Sequence, residues 1–147
     1  KWFKSVESKP DSGRFAYQGR GANLAMTAEG LLCLQFLGSN RNDVRMRNGA
    51  DWLLKELPQE KQSRTSYYWY YATQVMYHMQ GEYWDTWNNQ MRDMLVKTQK
   101  QSGATGGSWD PRDNWEQRGG RIMATSLKLL MLEVYYRHLP LYDQLDD

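Results

Sequence analysis

Apolar side chains recur along this chain at helical spacing, in five separated segments. The pattern predicts helices over residues 23–37, 43–57, 66–80, 86–101 and 121–139. Breakers stand where these segments stop: Gly38 after the first, Pro58 after the second, Gly81 after the third and Pro140 after the last. The segment 43–57 is amphipathic, mixing Val44, Trp52, Leu53 and Leu57 with Arg45, Arg47, Lys55 and Glu56. The segment 66–80 is different. Tyr68, Ala72, Val75, Met76 and Met79 share one face at helical spacing, while Tyr67, Tyr70, Tyr71, Gln74 and His78 lie largely on another. A helix apolar on most sides is enclosed on most sides.

The segments also repeat. Set "TAEGLLCLQFL" (27–37) above "TSLKLLMLEVY" (125–135): Thr meets Thr, three Leu meet three Leu, and Cys33 meets Met131. Upstream, "SGRF" ends at Phe15 and "GGSW" at Trp109, each a Gly, one spacer and an aromatic. "ADWLLKE" (50–56) pairs with "RDMLVKT" (92–98). A helical hairpin recurring every ~40 to 50 residues accounts for this, within the range of helical repeat arrays. The first residues, "KWFKSVESKPDSGRF", read as the end of a second hairpin helix running into a Gly-x-aromatic loop. The chain is therefore expected to begin and end inside the array, as a piece of a longer protein. Uncovered helix faces at the cut would favour self-association.

Composition narrows the partners. The 147 residues favour one domain spanning 1–147. Nineteen basic residues against seventeen acidic ones give a balance unsuited to nucleic acid, which needs clustered positive charge. Seven Trp, ten Tyr and three Phe imply an aromatic-heavy core. No stretch of ~18 apolar residues is present, so no membrane span is expected. The single cysteine, Cys33, excludes an internal disulfide and a multi-cysteine zinc site; set in an apolar run, it is expected to be a buried, inert thiol. No cofactor or metal is implied.

"LVKTQKQSGATGGSW" (95–109) resembles the QW motif of squalene–hopene and oxidosqualene cyclases: an apolar helix end, a Gln, then Gly-x-Trp. Protein prenyltransferase β-subunits share that repeat type. "MTAEGLLCLQFLG", "YYWYYATQVMYHMQGEYW" and "GGRIMATSLKLLMLEVYYRHLPLY" resemble the C-terminal part of bacterial prenyltransferase and squalene oxidase repeat proteins. The resemblance covers most of the chain and implies an all-α fold, a partial α/α-toroid of about two and a half hairpins. The pattern departs from the family's in several ways. The loop between Gln101 and Gly107 is long, the middle unit has no Gly-x-Trp, and the cyclases' Asp-x-Asp-Asp acid is absent. The prenyltransferases' zinc-binding Asp, Cys and His have no counterpart set, because His78 and His138 lie on separate helices. No catalytic residue is assigned.

Candidate sites each carry two readings. Tyr67, Tyr70, Tyr71, Gln74 and His78 would wall a pocket, or would be core residues with their polar tips bonded. Trp109 and Asp110, with Asp113 and Glu116, would set a carboxylate at the mouth of an aromatic cavity, where general-acid work would require a raised pKa. Alternatively, Trp109 would stack on a helix end while Asp110, before Pro111, starts a turn. His138 would meet helix-terminal carbonyls. "NRNDVRMRN" (40–48) is a solvated helix start, with Asp43 complementing the dipole. Three functions follow: a non-catalytic module binding a hydrophobic small molecule, a protein partner or the remaining repeats; a fragment of a cyclase or prenyltransferase with its motifs elsewhere; or a polysaccharide-handling toroid.

Overall fold

The helices form where the apolar periodicity places them. In the computed structural model, which describes residues 2–60 and 66–137, they are α1 (Trp2–Val6), α2 (Leu24–Phe36), α3 (Val44–Leu54), α4 (Ser66–Met79), α5 (Gly81–Thr98), α6 (Asn114–Leu132) and the single turn α7 (Val134–Arg137). Among the described residues there is no strand, only one isolated bridge between Glu7 and Phe15. The protein is all-α. No helix among these residues is long and apolar enough to cross a membrane.

Several boundaries differ from the sequence expectation: α3 stops at Leu54, α5 at Thr98 and α6 at Leu132, each short of its expected end, and two helices begin early. The helix expected from residue 86 begins at Gly81, because Gln80 (φ 58°) and Gly81 (φ 54°) reverse the chain within two residues and leave no loop. The helix expected from residue 121 does start there, after the break at Gly120 (φ 69°, ψ −170°), but a further helical stretch from Asn114 precedes it within α6. Asp113 makes the earlier start possible, its Oδ1 accepting from the backbone N–H groups of Trp115 (2.7 Å) and Glu116 (2.9 Å). Asp43 caps α3 as expected, its Oδ1 accepting from Arg45 N–H at 2.8 Å. The predicted end of the last helix, His138, Pro140 and the acidic tail lie outside the described residues.

Helix α4 occupies the centre, packed between α2 and α6, with α5 and α3 also against it. Eleven of its fourteen residues are buried. The α2–α4 contacts advance together along both helices: Glu29 with Tyr67, Gln35 Nε2 donating to Val75 C=O (3.2 Å), and the Phe36 ring against His78. The two helices are therefore parallel. Helices α3 and α5 are also aligned: the Tyr83 hydroxyl donates to Asp51 (2.8 Å), and Gln90 Nε2 donates to Pro58 C=O (3.0 Å), just beyond the end of α3. Trp87, fully buried, fills the centre, donating its Nε1–H to Thr73 Oγ1 at 3.0 Å.

The two Gly-x-aromatic segments make the same local contact. Phe15 N–H donates to Thr27 Oγ1 (2.9 Å), and Trp109 N–H donates to Thr125 Oγ1 (3.3 Å). Thr27 and Thr125 are the residues that align between the two helices. Both aromatic side chains are buried; the Phe15 ring lies on Gly30, and the Trp109 indole donates to Leu95 C=O near the end of α5 (2.9 Å). Gly13 has φ +62°, and a Cβ there would stand 1.9 Å from the Arg45 carbonyl oxygen.

Gly13→Ala is expected to cost more than ~2 kcal/mol, combining left-handed backbone strain with the clash. Gly19→Ala, with φ +64° but open space around it, is expected to cost only about 1 kcal/mol. Urea unfolding of the two variants measures the difference. Equal losses would mean that the loop yields to the methyl group.

Candidate functional site

The seven residues singled out in the sequence do not form one site. On α4, Tyr67, Tyr70 and Tyr71 are half-buried and lie along the open side of the helix. Gln74 and His78 continue that side but are buried. The Gln74 amide donates to Tyr70 C=O, and the His78 ring is covered by Phe36 and Tyr77. The open strip is thus confined to the N-terminal half of α4.

Trp109 and Asp110 belong elsewhere. Trp109 shares its surroundings with Trp69, which projects from α4 roughly opposite Tyr67 at ~100° per residue. The space enclosed there by Ser66, Trp69, Trp109, Glu116 and Lys128 is about 20 Å³. That accommodates about one water molecule and no organic ligand. Asp110 is held by Lys100 Nζ (2.7 Å) and by Arg121, which keep its carboxyl below the ordinary range. A carboxyl held ionised is a poor general acid, so the reading of this loop as an acid at a cavity mouth is not supported by its geometry.

A buried polar node takes the place of that cavity. Glu116 accepts from the Ser66 hydroxyl, from Lys128 Nζ and from Arg112 N–H (2.7 Å). Glu116 and Lys128 are both almost completely enclosed. Burial pushes the Glu116 carboxyl up, but Lys128, Ser66 and the Arg112 N–H outweigh it and hold the carboxyl below its usual value. Asp113 Oδ2 accepts from Ser66 N–H at 3.0 Å, so one carboxylate serves the first turns of both α6 and α4. The pattern Asp113-x-x-Glu116 is the sequence of a capping box and could have marked this helix start.

Cys33 is exposed rather than buried. Helix α2 buries Thr27, Ala28, Gly30, Leu31, Leu32, Leu34 and Gln35. Its apolar run continues past that stripe onto the open side, carrying Cys33 and Phe36 with it. The same side carries Met26 and Glu29 at helical spacing. Glu29 was not singled out by the sequence reading, although it is the lone carboxylate in "LAMTAEGLLCLQF". It meets Tyr67 across the α2–α4 boundary, and Tyr67 is also hydrogen-bonded to Tyr71. Burial pushes the Glu29 carboxyl up, with the Tyr67 hydrogen bond only partly opposing it. Burial, Tyr71 and the Glu29 charge together push the Tyr67 hydroxyl well above its usual value, so it stays a protonated donor.

No group of three or more His, Cys, Asp or Glu side chains is placed to hold a metal ion among the described residues. Comparison of the chain with protein-family models, with curated proteins and with solved structures gave no match.

Glu116→Gln leaves Lys128 enclosed without its counter-charge and is expected to cost about 3–5 kcal/mol. The double variant Glu116→Leu/Lys128→Met is expected to recover only part of that loss, because the Ser66 hydroxyl and the Arg112 N–H lose their acceptor. A carboxyl whose folded pKa is depressed stabilises the fold above its unfolded value, near pH ~4.3. That stabilisation is lost as pH falls through the lower folded value. Urea midpoints between pH 7 and 3 should therefore drop less in the double variant than in the parent. A parallel decline in both would show that Glu116 contributes nothing to the acid limb.

Proposed function

We propose that this chain is a non-catalytic binding module, an open segment of an α/α-toroid of helical hairpins, that holds a hydrophobic small molecule on the open side of α2 and α4. The observation carrying this reading is the strip of half-buried Tyr67, Tyr70 and Tyr71 on a helix otherwise enclosed throughout. Tyrosine offers a large, stiff, amphipathic contact area and loses little conformational entropy on binding. Phe36 and Cys33, both exposed, extend the strip across α2. The parallel α2 and α4, the aligned α3 and α5, and the matched Thr27 and Thr125 contacts support the hairpin-repeat reading. The cation-paired Asp110 and Glu116 support the non-catalytic one.

The far side of α6 carries exposed Ile122 and Leu129, opposite the buried stripe of Ala124, Lys128 and Met131. A second copy of this chain is the proposed partner of the exposed Ile122 and Leu129 face, and this apolar pair would drive the association.

Isothermal titration of the chain with a farnesyl-type alcohol should show saturable binding, weakened at least 10-fold by Tyr71→Ala, and no response to neutral oligosaccharides. Binding of the oligosaccharides alone would transfer the site to the polysaccharide reading. Absence of both would end the pocket proposal. Sedimentation equilibrium should show association that Ile122→Lys with Leu129→Lys abolishes; a parent chain that stays monomeric at high concentration would exclude the dimer.

A further inference from the structure

We infer that the ligand held by this open strip carries an organic ammonium group, seated in the corner made by the Tyr67, Tyr70 and Tyr71 rings beside the Glu29 carboxylate. The inference rests on the binding reading above and adds to it the chemistry of the ligand's head.

Three observations carry it. The first is ring geometry. Tyr71 meets Tyr67 with ring centroids 4.9 Å apart at 70°, and meets Tyr70 at 5.1 Å and 74°. Two edge-to-face pairs sharing one ring set aromatic faces in nearly perpendicular directions. Walls of this kind, each with a negative π face, attract a cation from more than one side. The three rings are half-buried, so they are partly withdrawn from water yet reachable. Partial desolvation strengthens the attraction relative to a fully exposed ring.

The second is the charge beside Tyr67. Glu29 stands beside Tyr67, and its Oε1 is buried with no hydrogen-bond partner among the described residues. Among the described residues no other carboxylate oxygen is buried without a partner: Glu7 accepts from Gly13 N–H, Asp113 from Ser66 N–H and Glu116 from Lys128. No described Lys or Arg pairs with Glu29. An anionic oxygen withdrawn from water without a partner is unfavourable, and a cation arriving beside it relieves that cost. The upward displacement of the Glu29 carboxyl by burial agrees with this geometry.

The third is the material around the corner. Met26, Cys33 and Phe36 occupy the same side of α2 at helical spacing from Glu29. An alkyl chain attached to the ammonium would lie along Cys33 and Phe36, away from the carboxylate. Alkylated ammonium suits this arrangement better than a bare one, because its methyl groups match the ring faces and shed less water on entry.

The test uses a matched pair of probes, octyltrimethylammonium and 1-octanol, titrated below their aggregation limits into the full chain by calorimetry. The ammonium is expected to bind about 10-fold more tightly than the alcohol. Glu29→Gln, which keeps the shape, and Tyr71→Leu, which keeps the apolar volume, are each expected to erode that preference to about 3-fold or less. Circular dichroism melts establish that both variants remain folded, and retained octanol binding by Glu29→Gln shows that the apolar strip is intact. Equal binding of the two probes by the parent chain would overturn the ammonium inference and leave the hydrophobic-ligand reading standing. Binding of neither probe would overturn both. A full ammonium preference that persists in both variants would place the cation elsewhere and also overturn the inference.

Discussion

Helix α4 depends on its surroundings on almost every bearing. Tyr68, Trp69 and Tyr77 are each buried, and an aromatic side chain hides 150–250 Å². At ~25 cal/mol per Å² that is roughly 4–6 kcal/mol of gross burial for each ring. No isolated helix of this composition could keep those surfaces from water. The other helices are arranged to cover them: α2 and α6 flank α4, while α5 brings Trp84, Trp87, Met91, Met94 and Leu95 into the core.

Enclosing a helix raises a second problem, because its polar ends and polar side chains are enclosed with it. The node at the start of α4 meets that demand. Asp113 accepts from Ser66 N–H and from the first turn of α6, while Glu116 takes the Ser66 hydroxyl and the Lys128 ammonium. The break at Gly120 lets the first turns of α6 stand at the node while the rest of the helix continues along α4. At the other end of α4, Tyr77, Trp84 and Tyr135 meet edge-to-face, and the Asn88 amide donates to the Tyr135 hydroxyl. The polar groups nearest the core are thereby committed to holding helices together. On the open side, by contrast, Glu29 Oε1 is buried without a hydrogen-bond partner among the described residues.

That open side also explains why α2 has no strongly polar face. Its residues divide between a stripe packed on α4 and α3 and a stripe of Met26, Glu29, Cys33 and Phe36 that faces outward. An outward stripe of this kind is a common mark of a binding surface.

Periodicity in the sequence determined the number, type and approximate limits of the main helices, because burial of one stripe in water demands that spacing whatever the neighbours are. It also showed the likeness of Thr27 to Thr125 and of Phe15 to Trp109, although the N–H to Thr Oγ1 contact closes over 12 residues in the first case and 16 in the second. It could not assign residues to sides where a helix is apolar all round. Cys33 was therefore expected to be buried, and Trp109 and Asp110 were grouped with tyrosines that project from the opposite side of α4. The partners of Glu29, Glu116 and Lys128 were likewise decided only in three dimensions. A carboxylate's behaviour depends on which charges and donors the packed helices bring within ~3 Å of it, and Tyr67 is 38 positions from Glu29 while Ser66 is 50 from Glu116.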